Sequence, residues 1–400
     1  MNSDVAQQIK DFNKGREKDP LKIKYRAMAE GPFRFFRGSC GLFYAELAKQ
    51  YPFAASPNVW ACGDLHIENF GSYKGNNRLV YFDLNDFDEA LLAPVLWEMC
   101  RLMVSVQIAA AETGFSKKEK MLLLNTLLVN YRNTLKKGKA IAIEKETATG
   151  LIKKLVNKVA DRKEADLVKK RTERFNPEKL LVSEILFALP KPEKKALLLA
   201  FNKWLKDNSD KKFHAVDAGF RIAGTGSIGV KRYLFLAEYN NNAQKKLLID
   251  VKQALPSAVN AYIKVPQPEW DNEAARVIAV QEMMQHVSPA FLSSFQYKDN
   301  WFVVKELQPM ADKVNLSQTI KQPANVETFL ADLGVLTASA QLRSSGRKGS
   351  ATADELVEFA SDENWMKTLL EWTVSAAEQV KGDYAIYKKA WEDGFFAAKK

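Results

Sequence analysis

The feature that most constrains this chain of 400 residues is a change in its apolar spacing near residue 213. From there RYLFLAEY and KKLLIDVK alternate with period two around Asn240-Asn241-Asn242, which predicts a β-hairpin. Further on, a helix is expected over roughly 272–286, and NWFVVKELQP is predicted as another strand. The segments on either side keep helical spacing. Trp365, Leu369, Trp372, Val380, Tyr384, Tyr387 and Trp391 recur at three, four and seven, a stripe expected to be buried. A doubly wound sheet needs strands and helices alternating throughout, so this order predicts an α+β fold instead.

The N-terminal stretch predicts helices around GPFRFFRGS, with a break at Gly31-Pro32. Two β-type runs, VWAC and RLVYFDL, follow, with a turn at Lys74-Gly75-Asn76-Asn77 between them. Residues 95–111 have a helical pattern, and Ser116-Lys117-Lys118-Glu119 is a capping box that opens a helix to about Lys137. The charged run 153–174 is expected to be a solvated helical face, because no aromatics interleave its basic residues for base stacking. A nucleic-acid partner is therefore not expected. The net charge of +11 points instead to some anionic ligand. No apolar run is long enough to span a membrane and no apolar signal core opens the chain, so a cytoplasmic location is expected. Cys40, Cys62 and Cys100 are far apart and match no paired motif, which argues against a disulfide framework.

The sharpest chemical signal is Gly63-Asp64-Leu65-His66-Ile67-Glu68-Asn69. An Asp five positions before an Asn is the catalytic-loop spacing of phosphoryl-transfer enzymes. The Asp can accept the proton of an attacking hydroxyl, and the Asn can turn back to a metal on the phosphates. A second carboxylate is then needed just downstream, and RLVYFDLNDFDEA supplies Asp83, with Asp86 and Asp88 as near alternatives. His66 is expected to act with this loop, chiefly by orienting it.

The second signal is Gly224-Thr225-Gly226-Ser227-Ile228-Gly229. A dinucleotide fold would need a helix directly after these glycines. Val230–Tyr239 carries Tyr233, Phe235 and Tyr239 without a helical stripe, so a strand is expected, with Gly224, Gly226, Ser227 and Gly229 cradling phosphates. Lys252, at the end of IDVK on the next strand, is expected to pair with the phosphates. Its acid partner is expected on the following helix, from Glu273 or Glu282, with Gln281 as a hydrogen-bonding substitute. The strand WFVVKELQP would then meet the adenine. The catalytic loop precedes the glycine loop, so the motif order is permuted relative to ordinary kinases.

The run FRFFRGS, then WACGDLHIENFG, FDLNDFDEALLAPVLWEMCRL, GTGSIGVKRY and DVKQALPSA, resembles the bacterial domain-of-unknown-function family 2252. The resemblance covers about 25–310 clearly. That family is similar, through its GD-H-x-x-N loop, to the aminoglycoside phosphotransferase and protein-kinase superfamily. The resemblance implies phosphoryl transfer without naming an acceptor. It implies Asp64 as base, Asn69 and Asp83 as metal ligands, Lys252 as phosphate lysine, and Glu98 as a possible brace of the loop. No DFG triplet occurs, so Asp83 and Asp86 compete for the metal role. Arg37 and Arg101 are expected to partner carboxylates or an anion.

Together these readings predict a two-lobed, kinase-like enzyme that uses ATP and magnesium to phosphorylate a hydroxyl. Residues 1–205 would form the first part of a helical lobe, 206–310 a nucleotide-binding lobe, and 311–400 the rest of the helical lobe. The alternatives are a pseudokinase that holds nucleotide without transfer, or an AMP transferase on the same fold.

Overall fold

The computed structural model describes residues 2–53, 56–208, 212–308 and 323–397. Four helices open the chain: α1 (Asn2–Phe12), α2 (Lys18–Met28), α3 (Pro32–Gly38) and α4 (Cys40–Gln50). Pro32 begins α3 at the position where proline's missing N–H costs nothing. Strands β1 (Asn58–Ala61), β2 (Phe70–Lys74), β3 (Val80–Leu84) and β4 (Leu91–Pro94) follow, then α5 (Val95–Glu112) and α6 (Lys117–Lys137). Ser116 caps α6 in a complete capping box with Glu119, as its sequence predicts.

The turn at Lys74–Asn77 is formed, but the strand entering it is β2, which the sequence reading passes over; Gly71 pairs with Asp83. VWAC pairs elsewhere, with β4, through Val59 opposite Ala93. The charged run is also less uniform than expected. After β5 (Ile143–Glu144) it makes α7 (Gly150–Ala160) and α8 (Glu164–Lys169), then turns into β6 (Thr172–Glu173) and β7 (Asn176–Leu180).

A six-stranded antiparallel sheet follows, assembled from β8 (Leu186–Ala188), β9 (Phe213–Arg221), β10 (Arg232–Tyr239), β11 (Asn242–Gln253), β12 (Ser293–Tyr297) and β13 (Asn300–Glu306). Its spatial order is β12-β13-β11-β10-β9-β8. Helix α9 (Lys191–Asn208) covers one face, where Leu197, Phe201 and Leu205 meet Phe235, Ile249 and Phe302 in a single core. The division expected at 205/206 therefore cuts through α9, and this sheet unit begins earlier, at β8. The division expected at 310/311, and Pro309 at the end of the predicted last strand, lie outside the described residues.

The opposite face is apolar at one end, where Leu234, Leu236 and Leu248 meet Val168 and Leu180. At the other end it is charged. Arg232 lies opposite Lys252 and Asp250 opposite Lys305, so these side chains share a face by strand alternation. Helix α10 (Glu273–Met284) then leads to α11 (Pro323–Arg343), α12 (Ala353–Ser361) and α13 (Asn364–Glu392). Together with α5 and α6, these last helices build the larger core, which includes Leu102, Leu127, Leu333 and Leu369. The predicted α13 stripe is buried at Trp365, Leu369, Val380 and Tyr387, whereas Trp391 in the last turn is 37% exposed. No helix among the described residues is long and apolar enough to cross a membrane.

Phe201 stacks on Phe235 with ring centroids 3.9 Å apart, joining α9 to the sheet. Replacing it by Ala should cost about 3–5 kcal/mol, read as a lower denaturation midpoint. A loss under about 1 kcal/mol would show that α9 does not belong to the sheet's core.

Candidate functional site

The loop from Gly63 to Asn69 leaves β1 and runs over the buried α5. Gly63 has φ +85°, and a Cβ there would stand 2.0 Å from the carbonyl oxygen of Glu89, so no other residue fits. Three polar residues of α5, spaced i, i+3 and i+7 on one face, hold the loop from beneath. Glu98 Oε1 accepts the N–H of Cys62 at 2.6 Å. Ser105 Oγ accepts the N–H of Ile67 at 3.0 Å. Arg101 donates to Asp64 Oδ1, from Nε at 2.6 Å and from Nη2 at 2.5 Å. Arg101 is fully buried, its guanidinium 4.2 Å from the Phe36 ring centroid. Asn69 closes the loop on itself by donating Nδ2 to the Asp64 carbonyl at 2.6 Å, which leaves Oδ1 as the ligating atom of its amide.

Burial pushes the Asp64 carboxyl above the usual range, against the opposing pull of Arg101. Its neighbours on the loop are placed by Arg37, which donates Nε to His66 Nε2 at 3.2 Å and pairs with Glu68.

The glycine segment turns between β9 and β10, with Gly224 at φ +73° and Gly229 at φ +92°. A strand follows it, as expected. Gly226 sits against the catalytic-type loop. A Cβ on it would lie 3.0 Å from the Arg37 carbonyl oxygen and 3.5 Å from Asp64 Oδ2. Ser227 Oγ donates to the Ala223 carbonyl at 2.7 Å, so its hydroxyl proton is used within the turn. One cleft is therefore walled by Asp64, His66 and Asn69 on one side and by Gly224, Gly226 and Ser227 on the other.

The acids divide. Asp86 and Asp88 line this cleft. Asp83 does not: it alternates with Phe82 and Leu84 on β3, and its carboxylate lies in the interior, where Arg343 Nη2 donates to Oδ2 at 2.8 Å. Of the two acids expected to compete for a metal role, Asp86 is the one that shares the cleft with Asn69. Among the described residues no group of three or more His, Cys, Asp or Glu is arranged to hold a metal ion. An all-oxygen pair of this kind suits magnesium, which takes one or two carboxylates with phosphate oxygens and water.

Lys252 emerges from β11 beside these acids. It pairs with Asp88, and its Nζ is 3.6 Å from Asp86 Oδ1. The partner expected from the following helix is not used. Glu273 is the first residue of α10 and pairs with Arg276 at 2.6 Å. Glu282 is exposed, and Gln281 bonds Gln285. Arg276 instead ties the acidic loop down, donating to the carbonyls of Asp88, Ala90 and Leu255.

Two residues that sequence reasoning missed complete the charged face. Arg221 and Arg232 both bond Asp250, and although burial pushes its carboxyl up, they hold it well below the usual carboxylate range. Lys305 has no ion pair among the described residues. Burial, opposed by Asp86 and reinforced by Lys252, brings its amine down to about 8. Period-two alternation along β13 could have put Lys305 on the face of Asp250, which it opposes; nothing local marks Asp250 as a partner of two arginines.

Burial raises the Glu98 carboxyl to about 7, against the hydrogen bonds it accepts from Cys62. The folded chain thus holds this proton more tightly than the unfolded one, whose carboxyl keeps a value near 4.5. The contribution is fully present below about 4.5 and is lost as pH rises towards 7, on the order of 3 kcal/mol in all. Glu98→Gln should flatten this stretch of the stability profile, measured by denaturation between pH 5 and 8. An unchanged slope would show that Glu98 does not titrate there.

No match was found among curated proteins or among solved structures. The family described as "Uncharacterized protein conserved in bacteria (DUF2252)" matches residues 16–390, so the chain belongs to this bacterial family.

Proposed function

We propose that this chain is an ATP- and magnesium-dependent phosphotransferase that moves the γ-phosphoryl group to a hydroxyl of an acceptor. The observation that carries the reading is the meeting of the glycine turn with Asp64, across a separation of about 160 residues and so closely that a Cβ added at Gly226 would stand 3.5 Å from Asp64 Oδ2. In this reading Asp64 Oδ1 is fixed by Arg101, and Oδ2 orients the acceptor hydroxyl and takes its proton. The raised carboxyl makes it a stronger base than an exposed aspartate. Asn69 and Asp86 hold magnesium, which neutralises charge on the phosphates. Lys252, released from Asp88, pairs with the phosphate chain. The glycine turn brings backbone close to the phosphates, where a side chain would exclude them. Positioning and charge stabilisation supply most of the acceleration in such chemistry.

Labelled ATP tests the proposal. Asp64→Ala should lower transfer or hydrolysis of label by ~10²–10⁴ while nucleotide still binds. Undiminished turnover in that variant would remove Asp64 from the mechanism. Binding with no transfer by the unaltered chain would make it a nucleotide-holding pseudokinase.

One observation favours AMP transfer as a second reading. Lys305, on β13 opposite Asp250, adds a second amine to the face that carries Lys252. A triphosphate held by both amines can be set deeper in the site, with its inner rather than its outer phosphorus at Asp64. The mass gained by the acceptor, about 80 daltons for phosphate or about 329 for AMP, separates the two readings.

A further inference from the structure

The glycine turn is held from outside the sheet by the start of the chain. Arg16, between α1 and α2, donates Nη1 to the Gly226 carbonyl at 2.6 Å and to the Ile228 carbonyl at 3.2 Å. Lys24, fully buried on α2, donates Nζ to the same Gly226 oxygen at 2.9 Å and to Asn13 Oδ1 at 2.7 Å. The Glu17 N–H completes the attachment by donating to the Gly229 carbonyl at 2.9 Å. Two cations therefore converge on one carbonyl oxygen.

Neither cation forms an ion pair with a carboxylate among the described residues. The acids that face them, Asp64 and Glu89, are already engaged. Arg101 bonds Asp64, and the Ala258 N–H donates to Glu89 at 2.6 Å. Burial, reinforced by Arg16, pushes the Lys24 amine well below its ordinary value, and the half-buried Arg16 guanidinium is left without a counter-ion. Arg16 also forms part of the cleft wall, and its Nε and Nη2 hydrogens have no protein acceptor among the described residues. Phe12, whose ring lies 5.2 Å from the Arg16 guanidinium, lines the cleft beside it.

We infer that Arg16 is a phosphate-binding residue of this cleft, supplied by the N-terminal arm, and that Lys24 is a positioning residue that fixes the glycine turn beneath the anion. The ligand class is a polyphosphate. A planar, forked guanidinium suits phosphate oxygens, and the anion supplies the missing counter-charge. The inference rests on the nucleotide reading only in what the polyphosphate is attached to.

Calorimetric titration of the full chain with inorganic tripolyphosphate, ATP and adenosine tests it, using Arg16→Gln, Arg16→Lys and Lys24→Met. Arg16→Gln should weaken tripolyphosphate and ATP by about 10- to 100-fold, the range for a lost hydrogen bond to a charged group, and leave adenosine unchanged. Arg16→Lys should recover part of the loss, which a purely structural role would not predict. Lys24→Met should weaken both polyphosphates with the same order of preference. An Arg16→Gln chain that melts at the normal temperature and binds tripolyphosphate normally overturns the inference. If that variant does not fold, Arg16→Lys decides: reduced polyphosphate affinity supports the assignment, and full affinity overturns it. Tripolyphosphate binding without ATP binding in the unaltered chain would overturn the nucleotide reading alone. ATP binding that is equal with and without Arg16 would overturn the arm alone.

Discussion

Arg101 carries a full charge with none of its surface in water, and the acid it bonds is Asp64. Such a pair stands only where geometry and further hydrogen bonds offset desolvation. Here the Phe36 carbonyl takes another guanidinium hydrogen at 3.1 Å, and the Phe36 ring lies against the charge. Removing one partner of a buried pair costs about 3–5 kcal/mol, because the other is left uncompensated. The loop from Gly63 to Asn69 is consequently fixed relative to α5, and α5 lies deep in the larger core. That rigidity gives the polar loop a defined position, against which the glycine turn packs.

The cleft is assembled from three parts of the chain that lie far apart in sequence. The loop and acids come from the first β-segment, the glycine turn from the six-stranded sheet, and Arg16 from the first helices, while Lys252 of β11 joins the acids through Asp88. The sheet contributes through alternation. One face is apolar and covered by α9, while the other is apolar at one end and carries Arg232, Asp250, Lys252 and Lys305 at the other. Lys252, Lys305 and Arg232 follow from that periodicity as much as from chemistry.

Much of this was legible in local sequence. The hairpin of β10 and β11, the strand after the glycines, the helix at 273–284 and the capping box of α6 each rest on spacing within one element. What was not legible depends on pairing over distance. β2 is short and carries glycine and serine, so nothing in FGSYK announces a strand until β3 lies beside it. Asp83 and Asp86 have equal claims in one dimension. They part because Arg343, from α11, lies beside the first, while the second follows the end of the strand. Glu273 and Glu282 were both candidates for Lys252 by order along the chain, but Glu273 pairs with Arg276 at i+3 and Asp88 of the acidic loop holds the lysine. Arg16 and Lys24 carried no signal, because their acceptors are backbone carbonyls about 200 residues away.

Arg276 gathers the carbonyls of Asp88, Ala90 and Leu255 on one guanidinium. Two chain segments, the acidic loop after β3 and the exit of β11, are thereby pinned to the first turn of a single helix. Any tilt of α10 would drag both strands' exits together, carrying the carboxylates and the lysine as one block. Adjustment to a bound molecule is thus left to the parts outside that block: the glycine turn and the arm that grips it.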